Sequence, residues 1–135
     1  MEIIETLPSS LDVVPVFINI VMERLENELS LKEEDHFDIK LALEEALTNA
    51  IKHGNKLDPS RFVEASVMTQ GNRVIIHVKN EGSGFDHQKI PNPTSEDKLM
   101  KTSGRGVFLI KKIMNEVSFE DQGREIRMVK ILKGV

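Results

Sequence analysis

Apolar residues recur along the chain with two different periods, and the places where the period changes divide it into elements. Residues 2–7 alternate between apolar and polar positions, which predicts a short strand closed by Pro8. From Val14 the spacing becomes helical: Val14, Ile18, Val21, Leu25 and Leu29 share one face through about residue 30. Ser9 or Ser10 offers an N-cap, and Pro15 falls in the opening turns, where proline is tolerated best. Ile39, Leu43, Ala46, Leu47, Ala50 and Ile51 give a second helix over 35–53 its apolar face, with Gly54-Asn55 as the stop.

Alternation returns at residues 61–69 and 73–79, two strands joined at the turn Gly71-Asn72. The run Arg73-Val74-Ile75-Ile76-His77-Val78 is apolar enough to predict a central strand. A polar stretch from Asn80 to Ser103 follows, holding Gly82, Gly84, Pro91 and Pro93. A loop of that length in a compact domain is more often functional than idle. Helical spacing resumes over 105–115 (Val107, Ile110, Ile113, Met114), and strands near 116–121 and 124–132 meet around Gln122-Gly123. Helices segregated from mostly antiparallel strands predict an α+β two-layer sandwich, with the helices covering one face of the sheet. With 135 residues, one domain over 1–135 is expected.

Composition narrows the function. The chain is 39% hydrophobic and 30% charged with a net charge of −4, values for a soluble globular protein. It has no basic stripe, tryptophan or tyrosine, which disfavours a nucleic-acid partner. Without cysteine there is no disulfide, thiolate chemistry or cysteine zinc site. The four histidines have no metal-ligand spacing. The acidic start lacks a signal-peptide pattern, and the apolar stretch Val13 to Met22 is too short to span a bilayer. A soluble cytoplasmic protein without membrane contact is therefore expected.

Three segments carry possible chemistry. In Glu44-Glu45-Ala46-Leu47-Thr48-Asn49, residues Glu45 and Asn49 are four apart and share a helix face beside the core stripe. Alone this is more often a solvated helix face than a site. In Val78-Lys79-Asn80-Glu81-Gly82-Ser83-Gly84-Phe85-Asp86, a strand runs into Gly-x-Gly, where backbone can approach a flat ligand or simply turn. In Thr102-Ser103-Gly104-Arg105-Gly106-Val107-Phe108, a glycine-rich turn opens a helix. Its N–H groups and dipole favour phosphate, though simple N-capping explains it equally well in isolation.

Taken in order, these segments resemble the N box and the two glycine boxes of the GHKL ATPases, the group with the Bergerat or histidine-kinase-like ATPase fold. Phe85-Asp86, Ile90-Pro91-Asn92-Pro93, Ser103 to Ile110, Met114-Asn115-Glu116-Val117 and Arg127-Met128-Val129-Lys130 make the chain similar to the RsbW/SpoIIAB branch, from about residue 8 to 132. Members of that branch are anti-sigma factors with serine/threonine kinase activity.

The resemblance implies ATP and Mg²⁺ as cofactors. It makes Glu45 the general base and Asn49 the Mg²⁺ ligand. Lys52 or His53 would meet phosphate, and Asn80, Gly82 and Gly84 would line the base end. Thr102, Ser103, Gly104, Arg105, Gly106, Val107 and Phe108 would form the phosphate end, with Lys101, Thr102 or Arg105 as donor candidates. It further implies an anti-sigma-factor antagonist of the STAS type as substrate, a sigma factor as partner, and a homodimer. Two positions depart from the pattern. Asn80 stands where the first glycine box begins with Asp, which adds an NH₂ donor and is expected to weaken or alter base selectivity. Arg124-Glu125 follows Gly123, where many relatives carry Thr. The alternative reading is a partner-switching module that keeps the fold without efficient phosphoryl transfer.

Overall fold

The computed structural model describes residues 1–82 and 102–133, with side chains in the second segment from Arg105 onward. The strands are β1 (Glu2–Pro8), β2 (Phe62–Gln70), β3 (Arg73–Lys79), β4 (Glu116–Glu120) and β5 (Glu125–Ile131). The α-helices are α1 (Val13–Glu28), α2 (Glu33–Thr48) and α3 (Thr102–Ile113). All strands pair antiparallel in the order β1-β2-β3-β5-β4, so β3 is central, as its apolar run predicts.

Register follows the alternation. Ile3, Val67, Ile76, Met128 and Val117 lie in one row across the sheet. Val63, Ala65, Val74, Val78 and Ile126 extend the same inward face, which packs on Val14, Ile18, Val21, Leu25, Ile39, Leu43 and Leu47 of the helices. This is the expected α+β two-layer sandwich. The β2–β3 turn is the expected two-residue link, with Gly71 at φ 60° and Gln70 paired to Arg73.

Four boundaries stand out against the sequence reading, one being that α3 begins at Thr102, inside the stretch read as loop, and ends at Ile113. Helix α1 starts at Val13, and neither Ser9 nor Ser10 caps it. Ser9 is buried and donates instead to the Arg61 carbonyl (2.6 Å), while Ser10 accepts from the Asp12 N–H (3.3 Å). The second helix does not run unbroken to 53: after Thr48 it widens into a π-helical turn, Asn49–Gly54. In the last hairpin a 3₁₀ turn, Asp121–Gly123, separates β4 from β5.

One inward position of β5 is charged. Lys130 is 5% exposed, and its ammonium donates to Asp38 Oδ2 on α2 (2.8 Å) and to the Ile113 carbonyl at the end of α3 (2.7 Å). It therefore ties strand, helix and helix end together at one point. Among the described residues no helix is long and apolar enough to cross a membrane.

Candidate functional site

Helices α2 and α3 run antiparallel. The end of α3 meets α2 at Asp38 through Lys130, and the start of α3 meets the other end of α2 at Glu45 and the following π-helical turn at Asn49. The crossing there is made by a glycine. A methyl group on Gly106 would stand 2.7 Å from Glu45 Oε2 and 3.0 Å from Asn49 Nδ2. Only hydrogen at this position lets the opening turn of α3 lie directly on the two polar side chains. The sequence reading places Gly106 in a different motif from Glu45 and Asn49, and the fold brings the two motifs into contact.

The π-helical turn leads from this cluster to the second glycine turn. Its last residue, Gly54, lies against Asn80: a Cβ there would be 2.5 Å from Asn80 Cγ. A Cβ on Gly82 would in turn fall 1.8 Å from the Gly54 carbonyl oxygen. The segment Asn49–Gly54 thus has Gly106 of α3 against its first residue and the end of β3 against its last. Single π turns inside α-helices often mark functional positions, because the extra residue re-aims the side chains around it.

Asn80 is 6% exposed and fully engaged with backbone on both sides of its amide. Its Oδ1 accepts from the Gly82 N–H (2.9 Å), and its Nδ2 donates to the Arg124 carbonyl (3.2 Å). The Arg124 side chain returns the contact, with Nε donating to the Gly82 carbonyl (2.7 Å). Both departures from the family pattern therefore belong to one clasp between β3 and the last hairpin.

Asn55 shapes the site, a role that the sequence reading misses by taking it only as a helix stop. It is completely buried; Nδ2 donates to Ser9 Oγ (2.9 Å) and the Phe62 carbonyl (3.0 Å), and Oδ1 accepts from the Glu81 N–H (2.8 Å). It fixes Glu81 beside the glycine turn, and the Glu81 carboxylate accepts from the Phe62 N–H. An asparagine after Gly signals a helix end equally well whether it is solvated or buried, so the sequence holds no cue to this role.

Electrostatics distinguish two side chains. Burial pushes the Glu45 carboxyl above its ordinary value, with neighbouring Glu44 adding to the shift and Arg105 opposing it. Such a carboxylate holds a proton more tightly than a solvated one and is a stronger base. Burial lowers the His53 imidazole, helped by Lys52. His53 Nε2 is enclosed and has no hydrogen-bond partner among the described residues.

The remaining expected residues are distributed as follows. Lys52 and Arg105 are exposed, Val107 is buried, and Phe108 is half-buried with the Lys112 ammonium 5.0 Å above its ring. Thr102, Ser103 and Gly104 form the first turn of α3. Gly84 and Lys101 lie outside the described residues, as does the loop reading for 83–101. No metal-ligating group of His, Asp or Glu occurs among the described residues.

Residues 7–130 match the model of the histidine kinase-like ATPase domain. The chain belongs to that family. Within it the chain is 32% identical over 99 residues to the anti-sigma F factor of Anoxybacillus flavithermus, covering 71% of this chain and 67% of that protein. It is 30% identical over 102 residues to the serine-protein kinase RsbW of Listeria monocytogenes, covering 70% and 65%. It is 27% identical over 135 residues to RsbW of Staphylococcus epidermidis, covering 94% and 84%. The matches thus span about two thirds of the first two relatives and most of the third.

Proposed function

We propose that this histidine kinase-like ATPase domain is an ATP-dependent serine/threonine protein kinase that acts as an anti-sigma factor. It phosphorylates a STAS-type antagonist, sequesters a sigma factor, and works in the cytoplasm as a homodimer. The observation that carries the kinase reading is the contact of Gly106 with Glu45 and Asn49. It sets a base of raised pKa and an amide oxygen beside the backbone N–H groups that open a helix.

The residues present suit ATP and Mg²⁺. Asn49 has a hard oxygen donor, Gly106 lets the start of α3 lie against Glu45 and Asn49, and His53 Nε2 has no hydrogen-bond partner among the described residues. When bound, Mg·ATP would supply the transferable γ-phosphoryl group, with ADP as the leaving group. Glu45 takes the proton from the acceptor hydroxyl, and the antagonist's serine or threonine oxygen becomes the nucleophile. Arg105, close enough to lower the Glu45 pKa, adds positive charge where phosphate oxygens gather. Asn80, Gly82 and Gly54 form the base end of the site.

Incubating the chain with γ-labelled ATP, Mg²⁺ and a purified STAS-domain antagonist tests the proposal. Label should reach one serine or threonine of the antagonist, and Glu45→Gln should abolish the transfer. ATP binding without transfer by the wild type would refute it.

A further inference from the structure

A seam runs away from Glu45 between α2 and α3. On the α2 side, Phe37, Leu41 and Glu45 follow one another at intervals of four and share a shoulder of the helix. Leu41 and Glu45 are half-buried, whereas Phe37 is 62% exposed. The other exposed residues of α2 are Glu33, Glu34, Lys40 and Glu44, so Phe37 is a lone apolar ring on a charged crest. On the α3 side, Leu109 and Ile113 are half-buried four residues apart. Because the helices are antiparallel, with Gly106 at Glu45 and Ile113 near Asp38, Leu109 and Ile113 stand level with Leu41 and Phe37 along the helix pair. Arg105 and Lys112, seven apart and therefore on one face, stand exposed on the α3 bank. Neither has an ion-pair partner among the described residues.

We infer that this seam, with Phe37 as its apolar anchor and Arg105 and Lys112 as its basic bank, is the docking surface for the protein substrate. The inference rests on the kinase reading above. Eight residues of helix separate Phe37 from Glu45, about 12 Å at 1.5 Å per residue. A folded protein that brings a hydroxyl to Glu45 therefore covers Phe37 as well. The basic bank selects the partner's chemistry. The chain carries a net charge of −4, yet this bank is positive. The matching surface is an acceptor serine or threonine with acidic neighbours and an apolar patch roughly 12 Å away. Nucleotide binding makes no demand on Phe37, which faces solvent on the far side of Leu41 from Asn49.

The test titrates ATP and a purified STAS-domain substrate separately in a labelled-transfer assay, using wild type, Phe37→Ser, Phe37→Leu and Lys112→Glu. Phe37→Ser should raise KM for the protein substrate about tenfold, while kcat and KM for ATP stay within about twofold. Phe37→Leu should recover most of the loss. Lys112→Glu should raise the same KM, most strongly at low salt. An unchanged protein KM in Phe37→Ser overturns the inference and leaves the kinase reading intact. So does an unchanged KM accompanied by loss of a homodimer in sedimentation, which would assign the patch to a second copy. If the wild type binds ATP but transfers nothing, the kinase reading fails. Equal affinity of wild type and Phe37→Ser for the same STAS protein would then overturn the docking surface too.

Discussion

The side-chain NH₂ of Asn80 points at the backbone carbonyl of Arg124, 3.2 Å away, while its oxygen receives the Gly82 N–H. An amide fits this position because one end donates and the other accepts. An aspartate has two acceptors when ionised, and one of them would face the Arg124 carbonyl. The asparagine is therefore part of the protein's own hydrogen bonding.

Asn80→Asp should accordingly destabilise the fold at pH 7, by roughly 1–3 kcal/mol for a buried carboxylate oxygen facing a carbonyl oxygen. The deficit should depend on pH. Once protonated, the introduced carboxyl can donate to the Arg124 carbonyl, so its folded pKa is raised above the unfolded value. The deficit is then complete above the folded pKa and disappears as pH falls through it and below the unfolded value. Urea denaturation at pH 7 and pH 4 measures both, and an Asn80→Asp variant as stable as wild type at pH 7 would disprove this account. Calorimetry of ATP and GTP on the same pair reads base selectivity independently.

The glycines at the two ends of the site differ in what lies opposite them, so their alanine variants should differ in kind. At Gly106 the close neighbours are the ends of flexible side chains, Glu45 Oε2 and Asn49 Nδ2. Gly106→Ala should keep or slightly raise stability, since alanine is favoured in helices by about 0.5–1 kcal/mol. Displacing Glu45 and Asn49 should meanwhile reduce phosphoryl transfer by roughly a hundredfold. At Gly82 the neighbour is the Gly54 carbonyl, which cannot rotate aside. Gly82→Ala should lower stability by about 1–3 kcal/mol. Thermal melts and single-turnover transfer on both variants separate the cases; a large melting loss in Gly106→Ala would contradict the geometry.

How much of this is legible in the sequence follows from what each residue type signals. The strands, the Gly71-Asn72 turn and the two-layer arrangement are readable because alternation and helical spacing report burial directly. Glu45, Asn49 and the glycine segments are readable only together, since each has an ordinary structural explanation alone. The π-helical turn is invisible: Ala50 and Ile51 are buried in it as they would be in a continued α-helix. Ser9 misleads because its hydroxyl, placed to cap α1, is drawn to Arg61 and Asn55 from distant segments. Contacts made across 46 or 52 residues leave no local trace.

The raised pKa of Glu45 fixes the sign of the enzyme's pH dependence. Only the ionised carboxylate accepts a proton, so transfer should fall as pH drops, with a midpoint above the ordinary glutamate value. Stability should move the other way. A carboxyl whose folded pKa is raised favours the folded state most below its unfolded pKa, and that contribution is lost as pH rises through the folded value. Glu45→Gln should therefore leave stability at pH 7 unchanged or raise it by up to about 0.5 kcal/mol, while removing activity. A transfer rate that is flat down to pH 4 would exclude Glu45 as the base.

Lys130 offers a test of how the two ends of α2 are coupled to the site. Its ammonium, on β5, joins Asp38 of α2 to the Ile113 carbonyl at the end of α3, about two helical turns from Glu45. Lys130→Met leaves Asp38, 8% exposed, as an uncompensated buried charge, and should destabilise by about 3–5 kcal/mol. Lys130→Met with Asp38→Leu removes both charges from an apolar surrounding and should recover most of that loss. The Ile113 carbonyl, however, loses its donor in both variants, so the end of α3 is released from α2. If that anchor sets the approach of Gly106 to Glu45, the double variant will be stable yet slower in transfer, with its affinity for ATP and substrate little changed. Recovery of full activity along with stability would show that α3 is held in place by its buried face, Val107 and Ile110, without help from the ion pair.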